Sequence, residues 1–137
     1  MVNPHMLADT LEQKGQQEGN LTFSINRLSG ENNVLQIIIE NREDLPVFLS
    51  ISEEQILCIA YLFGIKEVKQ EYIHEMNQAM LTANINIPLS SFAIVGSQYV
   101  LYGSLSVNSS INEIVYEVET LSNNTLESIE AMRDYLI

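Results

Sequence analysis

The sequence predicts an α+β domain with a mainly antiparallel sheet. Three observations support this: apolar residues alternate with polar ones in the N-terminal half, a helix-like segment ends at Asn84, and two aromatic-bearing alternating segments follow it. A length of 137 residues is that of one ordinary domain, so we expect a single domain over residues 1–137. The predicted order is helix, three or four strands, helix, two-strand hairpin and C-terminal helix.

The first predicted elements are a short helix and a hairpin. Asn3 and Pro4 have the residue types of a helix cap and a first helical position, and two glycines at 15 and 19 end this segment. From Leu21 the hydrophobic period changes to two. Residues 29–33 have turn composition, and Val34 to Glu40 is rich in β-branched residues. These features predict two antiparallel strands.

A third and a fourth strand are predicted around Pro46 and Ile56. Pro46 opens the segment PVFLSIS, and proline is tolerated at the start of a strand. Ser52 to Gln55 has the pattern of a helix capping box, or equally of a turn between strands, and Ile56 to Phe63 is a continuous apolar run. The run is therefore either a helix or a strand, and its length of eight residues favours the strand.

A second helix and a hairpin are predicted next. Lys66 to Ala83 has helical spacing of apolar residues, and Asn84 is a reasonable C-terminal residue for it. Phe92 to Val95 and Tyr99 to Leu105 alternate around Gly-Ser-Gln, which predicts a hairpin. Gly103 lies inside its second strand, where glycine indicates a bulge or a close contact.

The C-terminal segment predicts a long helix. Ser110 and Glu113 form a capping box, and the apolar residues that follow keep helical spacing with a shift at Asn123 and Asn124. The segment is either one kinked helix or two short ones. Its carboxylates lie mainly on the polar side, which indicates a solvated face rather than a docking surface.

Composition restricts the partners and the location. Six Lys and Arg against eighteen Asp and Glu give a net charge of −12, which disfavours nucleic acid and anionic membranes as partners. The N-terminus has no signal-peptide pattern and the longest apolar run is too short to span a bilayer. We therefore expect a cytoplasmic protein without direct membrane insertion.

Cys58 is the only cysteine, and its apolar neighbours predict a buried residue rather than a reactive thiol.

No residue pattern in the chain is a catalytic, cofactor-binding or metal-binding signature. The segment His74-Glu75-x-x-Gln78 resembles the start of a zinc-protease helix, but glutamine stands where the second imidazole is needed. Ser90 and Ser91 lack the glycine setting of a hydrolase nucleophile. We therefore predict no catalytic residues, no metal and no cofactor.

Three segments carry a resemblance to a known family. LPVFLSISEEQILCIAYLF, EMNQAMLTANINIPLSSFAIVGSQYVLYGSLSVNSS and EIVYEVETLSNNTLESIEAMRDYL resemble the YjfI-like family of uncharacterised bacterial proteins, over almost the whole chain from about Asn33. That family has no established activity, so it supplies no catalytic residues. Its genes lie beside those of a phage-shock-protein-A-like coiled-coil protein, which implies that protein as a partner and a role in a membrane-stress response.

The predicted architecture is also similar to that of class I type III secretion chaperones and of YbjN-like proteins. In these, a helix ending in Leu-x-x-Asn enters a hairpin, as Leu81 to Asn84 does here. The resemblance implies an acidic cytosolic homodimer that holds an extended segment of a protein partner against its sheet. The additional strand from Ile56 to Phe63 and the long polar end of the last helix depart from that pattern, which leaves the dimer mode open.

These features together predict a non-enzymatic adaptor or chaperone-like regulator that binds a protein through its sheet and hairpin. Phe92, Tyr99 and Tyr102 are the candidate contact residues, because aromatic side chains often anchor interfaces. Core packing is the alternative role for all three. The alternative function is a small-molecule sensor, or an enzyme whose site has no recognisable motif.

Overall fold

A computed structural model of the chain describes residues 7–11, 13, 21–28 and 34–137. These residues form one antiparallel sheet of six strands in the order β1-β2-β3-β4-β6-β5. The strands are β1 (Phe23–Arg27), β2 (Val34–Ile39), β3 (Val47–Ile51), β4 (Ile56–Gly64), β5 (Ser91–Val95) and β6 (Gln98–Leu105). Residues 7–11 and 13 are helical, and the longer helices are α1 (Ile73–Ala83) and α2 (Ile111–Met132). The predicted fold class and element order are confirmed.

The uncertain segment after residue 55 is a strand. β4 lies inside the sheet between β3 and β6, where both of its edges are paired. Ser52 closes the turn from β3 to β4, because its hydroxyl accepts hydrogen bonds from the backbone amides of Glu54 (3.2 Å) and Gln55 (3.1 Å). The capping-box pattern therefore belongs to a turn between strands.

The second helix is shorter than predicted. The expected start at Lys66 is wrong, since α1 begins at Ile73 and two short 3₁₀ turns precede it. Between these turns Val68 pairs with Leu136 in an isolated antiparallel bridge. The backbone amide of Lys69 also donates to the carbonyl of Tyr135 (2.8 Å). Pairing with the C-terminal residues occupies backbone groups that a longer helix would need.

The C-terminal segment is one helix of 22 residues, and Ser110 caps it as predicted, with its hydroxyl accepting a hydrogen bond from the Glu113 amide (3.2 Å). The hairpin turn contains only residues 96 and 97, and Gly96 has a φ of 60°. Glycine at the first position of a two-residue turn suits this left-handed conformation. The predicted cap at Asn3 and Pro4, the glycines at 15 and 19 and the turn at 29–33 lie outside the described residues.

All described helices pack on one face of the sheet. α2 lies across β3, β4 and β6, and the buried residues Leu7, Leu11, Met76 and Met80 join the same core. Alternation along the strands directs the other side chains away from this core. These outward residues, which we call the open face, are Ser24, Asn26, Val34, Gln36, Ile38, Phe48, Ser50, Leu57, Ile59, Tyr61, Ser91, Ala93, Val95, Gln98, Val100, Tyr102 and Ser104.

In the part of the chain that the structure describes, no helix combines the length and the apolar character needed to cross a membrane.

Candidate functional site

An apolar groove of about 300 Å³ lies between α1 and the β5–β6 hairpin. Its lining residues, which define the hairpin groove, are Asn77, Met80, Leu81, Phe92, Ala93, Ile94 and Tyr99. The groove exists because helical periodicity turns Met76 and Met80 into the core while Leu81, one position further, stands at its margin. Asn77 is the polar residue in this lining.

Two residues that line the hairpin groove have exposed apolar side chains, and further exposed apolar residues lie between α1 and β5 and at the end of β5. Leu81 is 70% exposed and Ile94 is 52% exposed, and Ile85 in the following loop is 89% exposed. Val95 and Leu89 are also exposed. Isolated exposed apolar residues are ordinary, but a concave cluster of them is typical of a protein-binding surface. The groove is therefore the strongest binding candidate among the described residues.

The edge of β5 lies beside the hairpin groove. β5 ends the strand order, so β6 is its one described neighbour in the sheet. In a hairpin with a two-residue turn, the pair Val95 and Gln98 exchanges hydrogen bonds, and the next pair along the strands does not. The backbone groups of Phe92 and Ile94 consequently point to the outer edge. An additional strand could pair there with both groups of Ile94 and with the Phe92 carbonyl, because the Phe92 amide already donates to the side chain of Asn84.

The segment between α1 and β5 is fastened at both of its ends. Asn84 follows α1, and its side-chain oxygen accepts a hydrogen bond from the Phe92 amide (2.6 Å). Asn124 of α2 donates to the carbonyl of Pro88 (2.8 Å) and to the hydroxyl of Ser90 (3.1 Å). These bonds fix the connection between α1 and β5, the two elements that contribute most of the groove lining.

Tyr99 and Phe92 form the floor of the groove. Tyr99 is 2% exposed, its hydroxyl donates to the side-chain oxygen of Asn77 (2.6 Å), and its ring contacts Phe63 at a centroid distance of 5.5 Å. Burial raises the pKa of Tyr99, so the hydroxyl remains protonated at neutral pH. Phe92 is 9% exposed. Both residues shape the groove, and a ligand would meet their edges rather than whole rings.

Tyr102 lies on the opposite side of the sheet from the other two candidates. It belongs to the open face, is 36% exposed and pairs with Ile59 and Ser91 on neighbouring strands. The three aromatic residues therefore do not form one surface. Phe92 and Tyr99 are brought together, and Tyr102 is placed with a different set of residues.

Leu81 and Ile94 are the groove residues that sequence reasoning missed as contacts. The sequence places Leu81 within the predicted helix Lys66 to Ala83 and Ile94 within the predicted strand Phe92 to Val95. The sequence signal for such a contact is the pair of adjacent apolar residues Met80 and Leu81. Adjacent residues on a helix are about 100° apart, so the two side chains point in different directions. The sequence alone does not show whether Met80 or Leu81 points toward the core.

A buried acid lies between α2 and β6, on the face of α2 that also carries Asn124. Glu117 is 4% exposed, and burial raises its pKa. It occupies the space beside Gly103, which confirms a close contact at this glycine. Cys58 pairs with Gly103 across the sheet, is fully buried, and has its pKa raised first by burial and then by Glu117. The expected burial of Cys58 is confirmed.

The remaining polar candidates are dispersed. His74 is exposed on α1. Within residues 7–11, 13, 21–28 and 34–137, no three His, Cys, Asp or Glu side chains come together as metal ligands would.

Solved structures with the same architecture include complexes of two proteins. The ExsC–ExsE complex gives a TM-score of 0.64 at 12% identity, covering 95% of this chain and 96% of the other. The HopA1–SchA chaperone–effector complex gives 0.60 at 18% identity, covering 95% and 99%. YbjN from E. coli gives 0.64 at 16% identity, covering 94% and 93%. These similarities confirm the expected secretion-chaperone-like and YbjN-like fold.

Sequence comparison gives a relative of nearly equal length. The uncharacterized protein YjfI of Escherichia coli (strain K12) is 26% identical over 137 residues, which cover 97% of this chain and 96% of the relative. The uncharacterized bacterial proteins grouped as DUF2170 match residues 1–136, so the match extends to the N-terminal residues as well. The chain belongs to this DUF2170 family of uncharacterized proteins conserved in bacteria.

Proposed function

We propose that this protein is a non-enzymatic adaptor or chaperone-like regulator that binds an extended segment of a protein partner at the hairpin groove. The observation that carries the proposal is the apolar groove lying directly beside the outer edge of β5, which no described strand covers. Such a pair of features suits strand addition, in which main-chain hydrogen bonds give affinity and side-chain pockets give selectivity.

The geometry restricts the partner segment. A strand added to β5 would pair with both outward backbone groups of Ile94 and with the carbonyl of Phe92, since the Phe92 amide already donates to Asn84. Its alternate side chains would enter the groove between Leu81 and Ile94, so those side chains should be apolar. The chain carries a net charge of −12, and an acidic surface favours a segment with basic flanking residues.

Known complexes with this fold support the protein-binding class. ExsC–ExsE and HopA1–SchA each pair two different proteins, and the second is a chaperone with its effector. We propose that the chain likewise binds a protein and acts as a cytoplasmic homodimer. For the partner we propose a phage-shock-protein-A-like coiled-coil protein, which would place the chain in a membrane-stress response.

Affinity capture tests this proposal. The tagged protein is recovered from its bacterium with and without envelope stress, and bound proteins are quantified by mass spectrometry. We expect a near-stoichiometric coiled-coil partner, lost in Leu81→Lys and Ile94→Lys because each places a charge in the groove margin. Tyr116→Lys is the matched control, since Tyr116 is an exposed apolar residue (58%) on α2, away from the groove.

The three aromatic candidates are tested in the same assay. Phe92→Ala and Tyr99→Ser should weaken capture if their side chains support the groove, provided that circular dichroism shows a folded protein. Tyr102→Ser changes the open face alone. Capture that survives both Leu81→Lys and Ile94→Lys would exclude the hairpin groove as the partner site.

A small-molecule sensor is the second candidate function, and the groove volume of about 300 Å³ is the observation in its favour. Ligand pockets begin at about that volume. A thermal-shift screen against metabolites and metal ions tests it, because a ligand that binds the folded state raises the melting temperature with concentration. A ligand that stabilises wild type but not Leu81→Lys would favour the sensor over the adaptor.

A further inference from the structure

The open face of the sheet carries no charged side chain. None of its residues is Asp, Glu, Lys or Arg, although these types make up 18% of the chain. Acidic residues stand just outside it, with Glu40 directly after β2 and Glu43 in the following turn. An uncharged area bordered by acids is unusual for a solvated face in a protein with a net charge of −12.

The centre of the open face is apolar and aromatic. Phe48 and Tyr61 contact edge to face at a centroid distance of 5.8 Å, and Tyr61 and Tyr102 are 42% and 36% exposed. Val100 lies between Tyr61 and Ala93 in the sheet register and is only 1% exposed, although it is not part of the main core. Val100 is therefore already dehydrated, while parts of Tyr61 and Tyr102 remain available for contact.

The described helices leave this face uncovered. α2 and the buried residues of α1 and of residues 7–11 belong to the core on the other side of the sheet. An antiparallel sheet can expose one face to water, but the outward side chains are then mostly polar. The aromatic centre here indicates that another surface packs against it.

We propose that the open face is the homodimer interface, with the open face of a second copy packed against it. Two copies with a net charge of −12 repel each other, and the open face allows contact without placing like charges opposite each other. A strongly basic partner would gain nothing from this uncharged area. This inference rests on the homodimer in the proposed function and assigns its surface.

The size of the face agrees with a dimer. Six strands about 4.8 Å apart, with five or six residues at about 3.4 Å each, give a face of roughly 500 Å². Two such faces bury about 1,000 Å², without the additional area of the protruding side chains. Specific protein interfaces begin at about that buried area. Twisted sheets pack face to face about 10 Å apart. We therefore expect a reversible dimer at tens of micromolar protein.

Analytical ultracentrifugation of the full chain tests the proposal. Wild type should sediment as twice 15.5 kDa at tens of micromolar. Tyr102→Lys should weaken the dimer at least about tenfold, because the variant buries a lysine in each copy. Leu81→Lys, at the exposed margin of the hairpin groove, should leave the dimer unchanged. A monomeric wild type, or a dimer lost in Leu81→Lys and kept in Tyr102→Lys, would overturn the assignment.

Cross-linking gives a second test that does not depend on weakening the dimer. Tyr61→Cys and Tyr102→Cys should form covalent dimers with a short bis-maleimide, and Leu81→Cys should not. The native Cys58 is fully buried and should not react. Cross-linking confined to Leu81→Cys would place the interface at the groove instead. Partner capture is a separate measurement, so a monomer that still binds its partner refutes the dimer surface and leaves the adaptor function intact.

Discussion

Replacing Gly103 with alanine should destabilise the fold by crowding a site that is already filled. A β-carbon at this position would lie 2.1 Å from Oε1 of Glu117 and 2.6 Å from the carbonyl oxygen of Leu89. Real β-carbons are not found that close to either atom, so both neighbours must move. Gly103 is required here by this close approach and not by its backbone conformation.

Neither neighbour can move freely. Glu117 is 4% exposed, so its side chain has little room to turn away. Leu89 contributes a backbone atom, its φ is 63°, and Asn124 binds the residues on both sides of it. Overpacking in a core costs about 1–3 kcal/mol. We expect the upper half of that range for Gly103→Ala, because one of the two conflicts involves the backbone.

Urea unfolding followed by far-ultraviolet circular dichroism measures this effect, and a double-mutant cycle separates the two contacts. In a Glu117→Ala background the side-chain conflict is gone and the Leu89 conflict remains. The cost of Gly103→Ala should then fall by at least about 0.5 kcal/mol, the lower limit for coupled neighbours. Ser104→Ala on the open face is the control. An equal cost in both backgrounds, or a cost like that of Ser104→Ala, would refute this account.

Three further predictions concern buried or capping groups. Glu117→Gln should stabilise the protein at neutral pH, because burial raises the folded-state pKa of Glu117 above its ordinary value of 4.5. Wild type therefore loses stability as the pH rises from 4.5 through the raised pKa. The urea midpoints of wild type and Glu117→Gln should be similar at low pH and should differ above that range. Equal midpoints at every pH would contradict this. Asn84→Ala should cost about 1 kcal/mol and accelerate hydrogen exchange at the Phe92 amide; unchanged exchange would show that the bond is not formed in solution. Cys58 should react with a thiol reagent only after unfolding, and rapid labelling of the native protein would contradict its burial.

Much of the fold could be predicted from the sequence because its elements are locally encoded. The hairpin at residues 91–105 follows from alternation and a glycine turn, and the start of α2 follows from the Ser110 capping box. The start of α1 could not be predicted, because Val68 pairs with Leu136 at the other end of the chain. Such a contact leaves no mark in a local hydrophobic pattern.

The site was less predictable for a related reason. An apolar residue at a helical or strand position has the same letter whether it faces the core or a partner. Leu81 and Met80 are neighbours with similar hydrophobicity, yet one is 70% exposed and the other 3%. Aromatic type alone led to Tyr99 and Tyr102, which the fold places on opposite faces of β6. Tertiary packing, and not residue type, assigns the surfaces.

The different shapes of the two apolar surfaces indicate different occupants. The hairpin groove is concave and lies beside a strand edge that no described strand covers, so it suits a single extended segment that supplies its own backbone hydrogen bonds. The open face is broad, and its backbone groups are used within the sheet, so it suits another sheet of similar width. Occupying one surface would leave most of the other accessible, because Leu81 and Tyr102 lie on opposite sides of the sheet and the two surfaces meet only at Ala93 on the edge strand. A homodimer formed through the open faces would therefore present two hairpin grooves and could hold two segments of a multimeric coiled-coil partner at once, with a gain in avidity that a monomer lacks.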